Sequence, residues 1–377
     1  MPRVLIATGI MNAGGAETLI MEMLRHKTEA IQYILLVHHS GTPEEGVYDR
    51  EIRALGVPMV YIPSVGSAGI WKYEKNFQER TQSIGQVDIL HSHLNAAGGI
   101  IAKAAKHAGI ENRIIHCHAD ITYTGNRLEN LFSEIKLELM KTCVNRYGTE
   151  FWACSVAAGN RLFRHDRPVL VIPNAIDTEK YLSTAEKKQK AKERLGLSGR
   201  FVLGSVGRIA PIKNYELAIR TLAVLNGRGI SADYICYGRI ADEHCFQSLI
   251  ALAEKLGVSA QIHFPGNSTD IPGDIAALDV FLMPSKSEGF GMAALEAQAA
   301  GIPAIVSVGV PEIVDVGLGL IRFIDFNEVQ WADAILNMKD TAAPDHASIL
   351  EAFEAHGYDS PGMVRTMEAY YMNMAGA

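Results

Sequence analysis

The feature that most limits the fold is a repeated alternation of short apolar runs with helical patterns. Helical segments such as Glu17–Arg25 and Arg127–Lys141 separate most of the apolar runs in the first half. Short strands that are apolar throughout are buried on both faces, and strands that alternate with helices build parallel sheets. The first half therefore predicts a doubly wound sheet, with strands at Val4–Thr8, Tyr33–His38, Met59–Ile62, Val87–His91, Arg113–His118, Phe151–Ser155 and Leu170–Ile172.

The alternation restarts after a charged stretch, "TAEKKQKAKERLGLSG", which predicts a solvated helix. Asn214 precedes "YELAIRTLAVL" and predicts an N-cap before an amphipathic helix. We therefore expect an α/β protein with two Rossmann-like doubly wound domains, residues 1–175 and 176–359, facing each other across a cleft. The second set of strands is predicted at Phe201–Gly207, Tyr234–Tyr237, Gln261–Phe264, Val280–Pro284, Ala304–Ser307 and Leu320–Ile324.

Length and composition agree with two ordinary globular domains. A chain of 377 residues is longer than a single hydrophobic core usually supports, so two domains are expected. The net charge of −7 gives no reason to expect a nucleic-acid partner. The five cysteines form no C-x-x-C pair, which favours a reduced, cytoplasmic setting over a disulfide scaffold. No signal-peptide layout and no uncharged apolar run of about 18 residues are found, so we expect no spanning helix, although peripheral membrane contact stays open.

Candidate ligand-binding residues follow the predicted strands, where α/β sheets bind their ligands. "GRIAPIKN" places Arg208 and Lys213 just before a helix. Two cations beside a helix start, which itself favours anions, predict a diphosphate pocket. The alternative is an ordinary surface loop. "GIMNAGGAE" offers Gly14 and Gly15 for a close backbone approach and a positive φ, or simply a tight turn. This loop lacks the G-x-G-x-x-G pattern of dinucleotide-binding proteins.

Four histidines lie at two neighbouring strand ends: His91 and His93 in "LHSHL", and His116 and His118 in "IIHCH". By the two-residue period of a strand, the members of each pair point the same way. A metal site is conceivable, but no carboxylate or cysteine with ligand spacing completes it, so we predict no metal. Each histidine is by default a satisfied buried residue, with at least one of the four expected in the cleft.

The most informative stretch is "SEGFGMAALEAQAAGIPAIVS", which begins at Ser287. It predicts a loop, a helix and a buried strand, with bare backbone N–H groups around Gly289 and Gly291 at the start of the helix. Glu296 follows Gly291 by five residues, a helical rise of roughly 7.5 Å. Glu288 and Glu296 therefore suit two separate parts of one polyhydroxylated ligand, as in a nucleotide-sugar.

These motifs together resemble family 4 of the retaining glycosyltransferases, which have the GT-B fold. The specific part is Glu288-Gly-Phe-Gly-Met-Ala-Ala-Leu-Glu296 followed by "AQAAGIP", with "GR…KN" and "PNAID" upstream. "MNAGGAETLIMEML", "RIIHCH" and "ACSVAAGNRLF" look like the subgroup found in bacterial exopolysaccharide and capsule clusters. The resemblance covers almost the whole chain.

The resemblance implies a role for each motif. Glu296 would hold the ribose, and Glu288 would hold the donor sugar with the amides of Gly289, Phe290 and Gly291. Arg208 and Lys213 would neutralise the diphosphate, and His118 would contact the donor hexose. The other implied substrate-binding residues are Gly14 and Gly15 near the β-phosphate, Asn174 in "PNAID", and Gly266 and Ile271 near the base.

The resemblance also implies that the final helix, within residues 360–377, returns to the first domain, which would be the acceptor side. Ala175 replaces a usual glycine, and "YGRIAD" lacks the commoner second glycine. The absence of D-x-D agrees with metal-independent chemistry and with no cofactor beyond the co-substrate. The implied activity is retaining hexosyl transfer, with a UDP-sugar as the preferred donor and a saccharide or lipid-linked saccharide as acceptor. A sugar-nucleotide hydrolase or epimerase, and a non-catalytic sugar-nucleotide-binding partner, stay open as alternatives.

Overall fold

The computed structural model describes residues 1–12, 14–118 and 127–376, with side chains outside residues 127–133. The chain divides into two compact units, Met1–Ile176 with Ser360–Ala377 and Asp177–Asp359. This division lies one residue after the boundary expected from the sequence.

Within the described residues, the first unit is built on seven parallel strands in the order β3-β2-β1-β4-β5-β6-β7. The strands are β1 Arg3–Thr8, β2 Gln32–His39, β3 Met59–Pro63, β4 Ile89–Ser92, β5 Asn112–Cys117, β6 Glu150–Ala153 and β7 Leu170–Val171. The helices are α1 Gly15–Arg25, α2 Asp49–Ala54, α3 Val65–Ala68, α4 Ile70–Ile84, α5 Gly98–His107, α6 Arg127–Tyr147 and α7 Val156–Leu162. Buried apolar clusters cover both faces of the sheet, as the uninterrupted apolar strands require.

The second unit has six parallel strands in the order β10-β9-β8-β11-β12-β13. They are β8 Phe201–Val206, β9 Ala232–Tyr237, β10 Ile262–Gly266, β11 Val280–Met283, β12 Ala304–Ser307 and β13 Ile321–Ile324. The helices are α8 Thr178–Tyr181, α9 Ala185–Arg194, α10 Tyr215–Gly227, α11 Glu243–Lys255, α12 Ile271–Ala276, α13 Met292–Ala299, α14 Glu328–Met338 and α15 His346–His356. The predicted doubly wound fold is confirmed in both units.

Both sheets reverse their strand order beside their first strand, between β1 and β4 and between β8 and β11. Crossovers leave this point in opposite directions, which opens a crevice at the carboxyl ends of the two strands. The candidate residues of the second unit lie at this edge.

The last helix, α16 Ser360–Ala375, belongs to the first unit. Its buried face joins the apolar cluster that contains β1 and α1, through Met363, Val364, Met367 and Tyr371. Glu368 is 5% exposed and accepts hydrogen bonds from Thr28 Oγ1 at 2.6 Å and from Tyr33 Oη at 3.0 Å. Apolar burial and a satisfied buried carboxylate therefore fix this helix in place.

Within the described residues, no helix is both long enough and apolar enough to cross a membrane.

Candidate functional site

Backbone hydrogen bonds join the ends of β8, β9 and β10 into one edge. Gly207 N–H donates to Tyr237 O at 2.8 Å, and Gly238 N–H donates to Gly266 O at 2.8 Å. A Cβ on Gly238 would lie 2.0 Å from the Gly207 carbonyl oxygen, so only glycine allows this approach. Arg208 and Gly266, which the sequence proposed for phosphate and base, are thus held along the same edge.

The two predicted phosphate-binding cations differ in their surroundings. Arg208 is exposed, and no hydrogen bond or ion pair to its side chain is found in the described part of the chain. Lys213 ends a 3-10 turn, Pro211–Lys213, and its Nζ lies 2.6 Å from Oε1 of Glu288. The side chains of Lys213 and Glu288 are only 18% and 14% exposed. The sequence assigned these two residues to different parts of the ligand, whereas the structure pairs them with each other.

Asn214 occupies the N-cap position of α10, as expected, but with a left-handed φ of 52° and no side-chain capping hydrogen bond. The predicted cap is therefore correct in position and wrong in its interaction. Asparagine tolerates this backbone conformation better than most residues. Its role is to turn the chain from Lys213 into α10.

The loop that carries Glu288 is fixed by two neighbouring loops. Lys286 N–H donates to Ile212 O at 2.8 Å, and Glu288 N–H donates to Gly309 O at 3.0 Å. A Cβ on Gly309 would lie 2.4 Å from the Lys286 carbonyl oxygen. Gly309 was missed in the sequence, although a glycine two residues after a buried strand is a signal for close backbone approach.

The start of α13 presents open backbone N–H groups. Gly291 is its N-cap, with a φ of 102° that favours glycine. The amides of Gly289, Phe290 and Gly291 form no hydrogen bond with any group in the described ranges. The Phe290 ring is 2% exposed and packs edge-on against Tyr358 at 5.3 Å, so the side chain anchors the loop while its amide stays open.

The remaining predicted residues of the second unit occupy defined positions. Glu296 lies within α13 and is 9% exposed. Gly266 ends β10 with a φ of 83°, and Ile271 begins α12, which Asp270 caps through a 3.0 Å hydrogen bond from Gly273 N–H. The loop from Gly266 to Ile271 is thus anchored at both ends.

The glycine-rich loop of the first unit differs from expectation. Gly14 has a φ of −137° and is the N-cap of α1, and Gly15 is not among the glycines with positive φ. The expected positive φ is therefore wrong, because the chain enters α1 through extended backbone. A Cβ on Gly15 would meet no atom within 4 Å, so open space lies beside its backbone. Asn174 is 4% exposed, and its Oδ1 has no hydrogen-bond partner in the described chain.

The four histidines pack together on one face of β4 and β5, as the strand period predicted. Their ring centroids are 4.1 Å apart for His91 and His93, and 4.1 Å apart for His116 and His118. His91 Nε2 lies 3.2 Å from His116 Nδ1, and His93 Nδ1 lies 2.8 Å from His118 Nε2. Burial lowers the pKa of His118 to about 3 and the pKa values of the other three well below their usual value. All four rings are therefore neutral near pH 7.

Neutral imidazoles are also metal ligands. One ring nitrogen each of His91, His93 and His116 lies within 4.8 Å of the others, and the described chain adds no carboxylate or cysteine to this group. The His–His hydrogen bonds already use one nitrogen of each ring. The absence of a metal requirement stays a prediction.

At the edge of the second sheet, the chain thus assembles an exposed cation, a lysine–glutamate pair and an uncapped helix start. Open amides at a helix N-terminus favour an anion, and Arg208 adds a full positive charge. The carboxylates of Glu288 and Glu296 accept hydrogen bonds from hydroxyl groups. Such a set can bind a molecule that combines phosphates with sugar hydroxyls.

Comparison with known proteins supports this chemistry. The models named Glycosyltransferase Family 4 and Glycosyl transferases group 1 match residues 13–180 and 187–338. EpsF of Bacillus subtilis (strain 168), named as a glycosyltransferase, is 30% identical over 372 residues, which cover 95% of this chain and 93% of EpsF. The D-inositol 3-phosphate glycosyltransferase of Salinispora arenicola (strain CNS-205) is 26% identical over 79% of this chain and 73% of its own length.

Solved structures share the fold. Anabaena HepE, crystallised with UDP and glucose, superposes with a TM-score of 0.81 at 20% identity, over 99% of this chain and 100% of HepE. WaaG, a glycosyltransferase involved in lipopolysaccharide biosynthesis, gives 0.67 at 16% identity, over 99% of this chain and 100% of WaaG. Because a relative matches over nearly the whole chain and a family model matches each half, the chain belongs to the glycosyltransferases of the GT-B fold.

Proposed function

We propose that this glycosyltransferase moves a hexose from a nucleoside diphosphate sugar to a hydroxyl group, with retention of the anomeric configuration and without a metal. The observation that carries the proposal is the convergence of Arg208, the Lys213–Glu288 pair and the open amides of Gly289–Gly291 at one sheet edge. Glu296 then holds the ribose, and Gly266 and Ile271 lie toward the base.

The leaving diphosphate gains negative charge as the glycosidic bond breaks. Arg208 and the α13 N-terminus stabilise that charge, and Lys213 joins them when it turns from Glu288 toward the phosphate. Glu288 is then released to accept hydrogen bonds from the sugar hydroxyls. One ion pair thus supplies both a phosphate ligand and a sugar ligand upon binding.

Retention follows from departure and attack on the same face of the sugar. Retaining glycosidases use a carboxylate nucleophile beside an acid. Here Glu288 is held by Lys213 and sits among the donor-binding groups. We therefore propose front-face transfer, in which the departing phosphate accepts the proton of the attacking hydroxyl.

We propose UDP as the nucleotide and a glucose-like hexose as the sugar. Support comes from the HepE structures, whose crystals hold UDP with glucose or UDP-glucose. HepE shares the fold with this chain at 19–20% identity. Binding of UDP in preference to GDP or ADP, measured by calorimetry, tests the nucleotide.

We propose that the acceptor is a saccharide or lipid-linked saccharide of bacterial polysaccharide synthesis. We propose that it is glycosylated on the cytoplasmic face of the membrane. The segment Asn160–Pro168 is a candidate for peripheral contact because it carries three arginines. Arg161 pairs with Glu134 and Arg164 pairs with Asp166, so Arg167 is the arginine of this segment that forms no ion pair within the described residues. Sedimentation with anionic vesicles, for wild type and Arg167→Ala, tests this contact.

The direct test is donor turnover by Lys213→Ala and by Glu288→Ala. Losing a preorganised charge at the transition state costs about a hundredfold to a thousandfold in rate. Lys190→Ala is the matched control, because Lys190 forms an exposed pair with Glu186 on α9 of the same unit. Wild-type turnover by both site variants with a suitable acceptor contradicts the assigned roles.

The same assay separates the alternatives. Rapid hydrolysis or epimerisation of a UDP-sugar without acceptor favours the hydrolase or epimerase. Binding of UDP with no turnover of any donor and acceptor pair favours a non-catalytic partner. We expect transfer that depends on the acceptor.

A further inference from the structure

The segment after β4 holds His118 in two ways. Nδ1 of His93 lies 2.8 Å from Nε2 of the His118 ring, and Oδ1 of Asn95 accepts the backbone N–H of His118 at 2.8 Å. Asn95 lies in a tight turn with a positive φ of 47°, and its side chain points from this turn toward the backbone of His118. His93 is therefore the group that orients the His118 ring within the described chain.

A hydrogen bond between two neutral imidazoles couples their protons. Burial lowers the pKa of both rings, so each carries one proton near pH 7. Either His93 donates through Nδ1–H and His118 keeps its proton on Nδ1, or His118 donates through Nε2–H and His93 keeps its proton on Nε2. The position of one proton thus fixes the other.

The surroundings favour the first arrangement. His93 is 3% exposed, and its Nε2 has no partner in the described chain, beside the rings of His91 and His116. A buried N–H without an acceptor is rarer than an unused acceptor, because it loses its bond to water and gains none. Nδ1 of His118 is likewise buried and has no partner within the described residues, but His118 as a whole is half-buried at the end of β5, so a ligand that binds there can supply the acceptor that this N–H lacks.

We propose that His93 is a positioning residue that donates its Nδ1–H to His118 and thereby fixes His118 as the tautomer protonated at Nδ1. His118 then offers an N–H donor to a sugar oxygen. This role rests on the proposed function, which places His118 at the donor hexose.

The tautomer can be read directly by NMR of protein labelled with ¹⁵N-histidine. The His118 signals are assigned by their loss in His118→Asn. We expect pyrrole-type Nδ1 and pyridine-type Nε2 for His118 in wild type and in His93→Asn, whose side-chain amide can still donate. In His93→Leu, which has no donor, we expect a mixture of the two tautomers. Protonation of His118 at Nε2 in wild type, or an unchanged tautomer in His93→Leu, overturns the proposal.

Kinetics give a second readout. We expect His93→Leu to lower kcat about tenfold, the effect of losing one neutral hydrogen bond, and His93→Asn to recover most of it. Melting temperatures of both variants separate this effect from loss of folding. If His118→Asn turns over donor as fast as wild type, the proposed contact with the hexose fails while the NMR result on His93 stands. One equivalent of tightly bound metal in purified protein overturns the proposal, since the ring nitrogens would then be ligands.

Discussion

Among single side chains, the pairing of Lys213 with Glu288 changes how the E-x7-E motif is understood. A largely buried charge without a partner is costly, and the ion pair between the two groups removes that cost. Under the roles proposed for these residues, a donor with a diphosphate and sugar hydroxyls replaces both halves of the pair at once. Under the same roles, a ligand with only one of these parts leaves the other charge uncompensated, so we expect the complete donor to bind better than its fragments.

Gly309 gives a prediction at this level. A Cβ there would meet the carbonyl oxygens of Lys286 and Ser285 at 2.4 and 2.7 Å, so Gly309→Ala must displace the loop that carries Glu288. We expect donor affinity to fall at least about tenfold, or about 1.4 kcal/mol, by calorimetry. Gly227→Ala is the control, since its Cβ meets no atom within 4 Å at the end of α10. Equal affinities for the two variants contradict the prediction.

Of the helices and strands, β2 and the end of β5 carry buried histidines, His38 and His118, that make the first unit sensitive to acid. Burial lowers the pKa of His38 to about 4 and of His118 to about 3, against about 6.5 in an unfolded chain. Between these values the unfolded chain binds protons that the folded chain does not. The free energy of unfolding therefore falls as the pH drops below about 6.5, by up to about 1.4 kcal/mol per pH unit for each such histidine.

Urea unfolding between about pH 7 and pH 5 measures this slope. We expect His38→Gln to reduce it, because the variant has no ring to protonate in the unfolded chain. The exposed His165 provides the control substitution, His165→Gln. A slope that is equal in wild type and His38→Gln shows that His38 does not contribute.

Helix α16 carries the next prediction. Glu368 accepts hydrogen bonds from Thr28 and Tyr33, so Glu368→Ala leaves a buried Tyr33 hydroxyl without an acceptor. We expect a loss of about 2 to 4 kcal/mol of unfolding free energy in urea titrations. Arg365→Ala, at an exposed position of the same helix, should lie within about 0.5 kcal/mol of wild type. Similar losses in both variants would assign the effect to the helix itself.

At the scale of the whole chain, ligand binding should raise the free energy of unfolding and the melting temperature. A ligand that binds only the folded protein adds about 2.7 kcal/mol at a hundred times its Kd. We expect UDP to raise the melting temperature of wild type and of Lys190→Ala, and to raise that of Lys213→Ala less. A UDP shift of the same size in all three proteins argues against Lys213 as a phosphate ligand.

Much of the fold was predictable because it depends on local patterns. An uninterrupted apolar run such as Tyr33–His38 indicates that both faces of the strand are buried. All thirteen predicted strands have counterparts in the two sheets. Gly291 was predictable for a similar reason, since a glycine before a helix after a buried strand is a local signal. Glycine conformation was less predictable, because Gly14 and Gly15 enter α1 without positive φ.

By itself, the sequence determined the two-domain α/β architecture and the residue types that collect at the strand ends, because periodicity and strand polarity are properties of neighbouring residues. Only the tertiary structure decided which of those residues touch. Lys213 and Glu288 are 75 positions apart, and His93 and His118 are 25 apart. Strand order brings each pair together, and strand order follows from packing of the whole sheet rather than from any local signal.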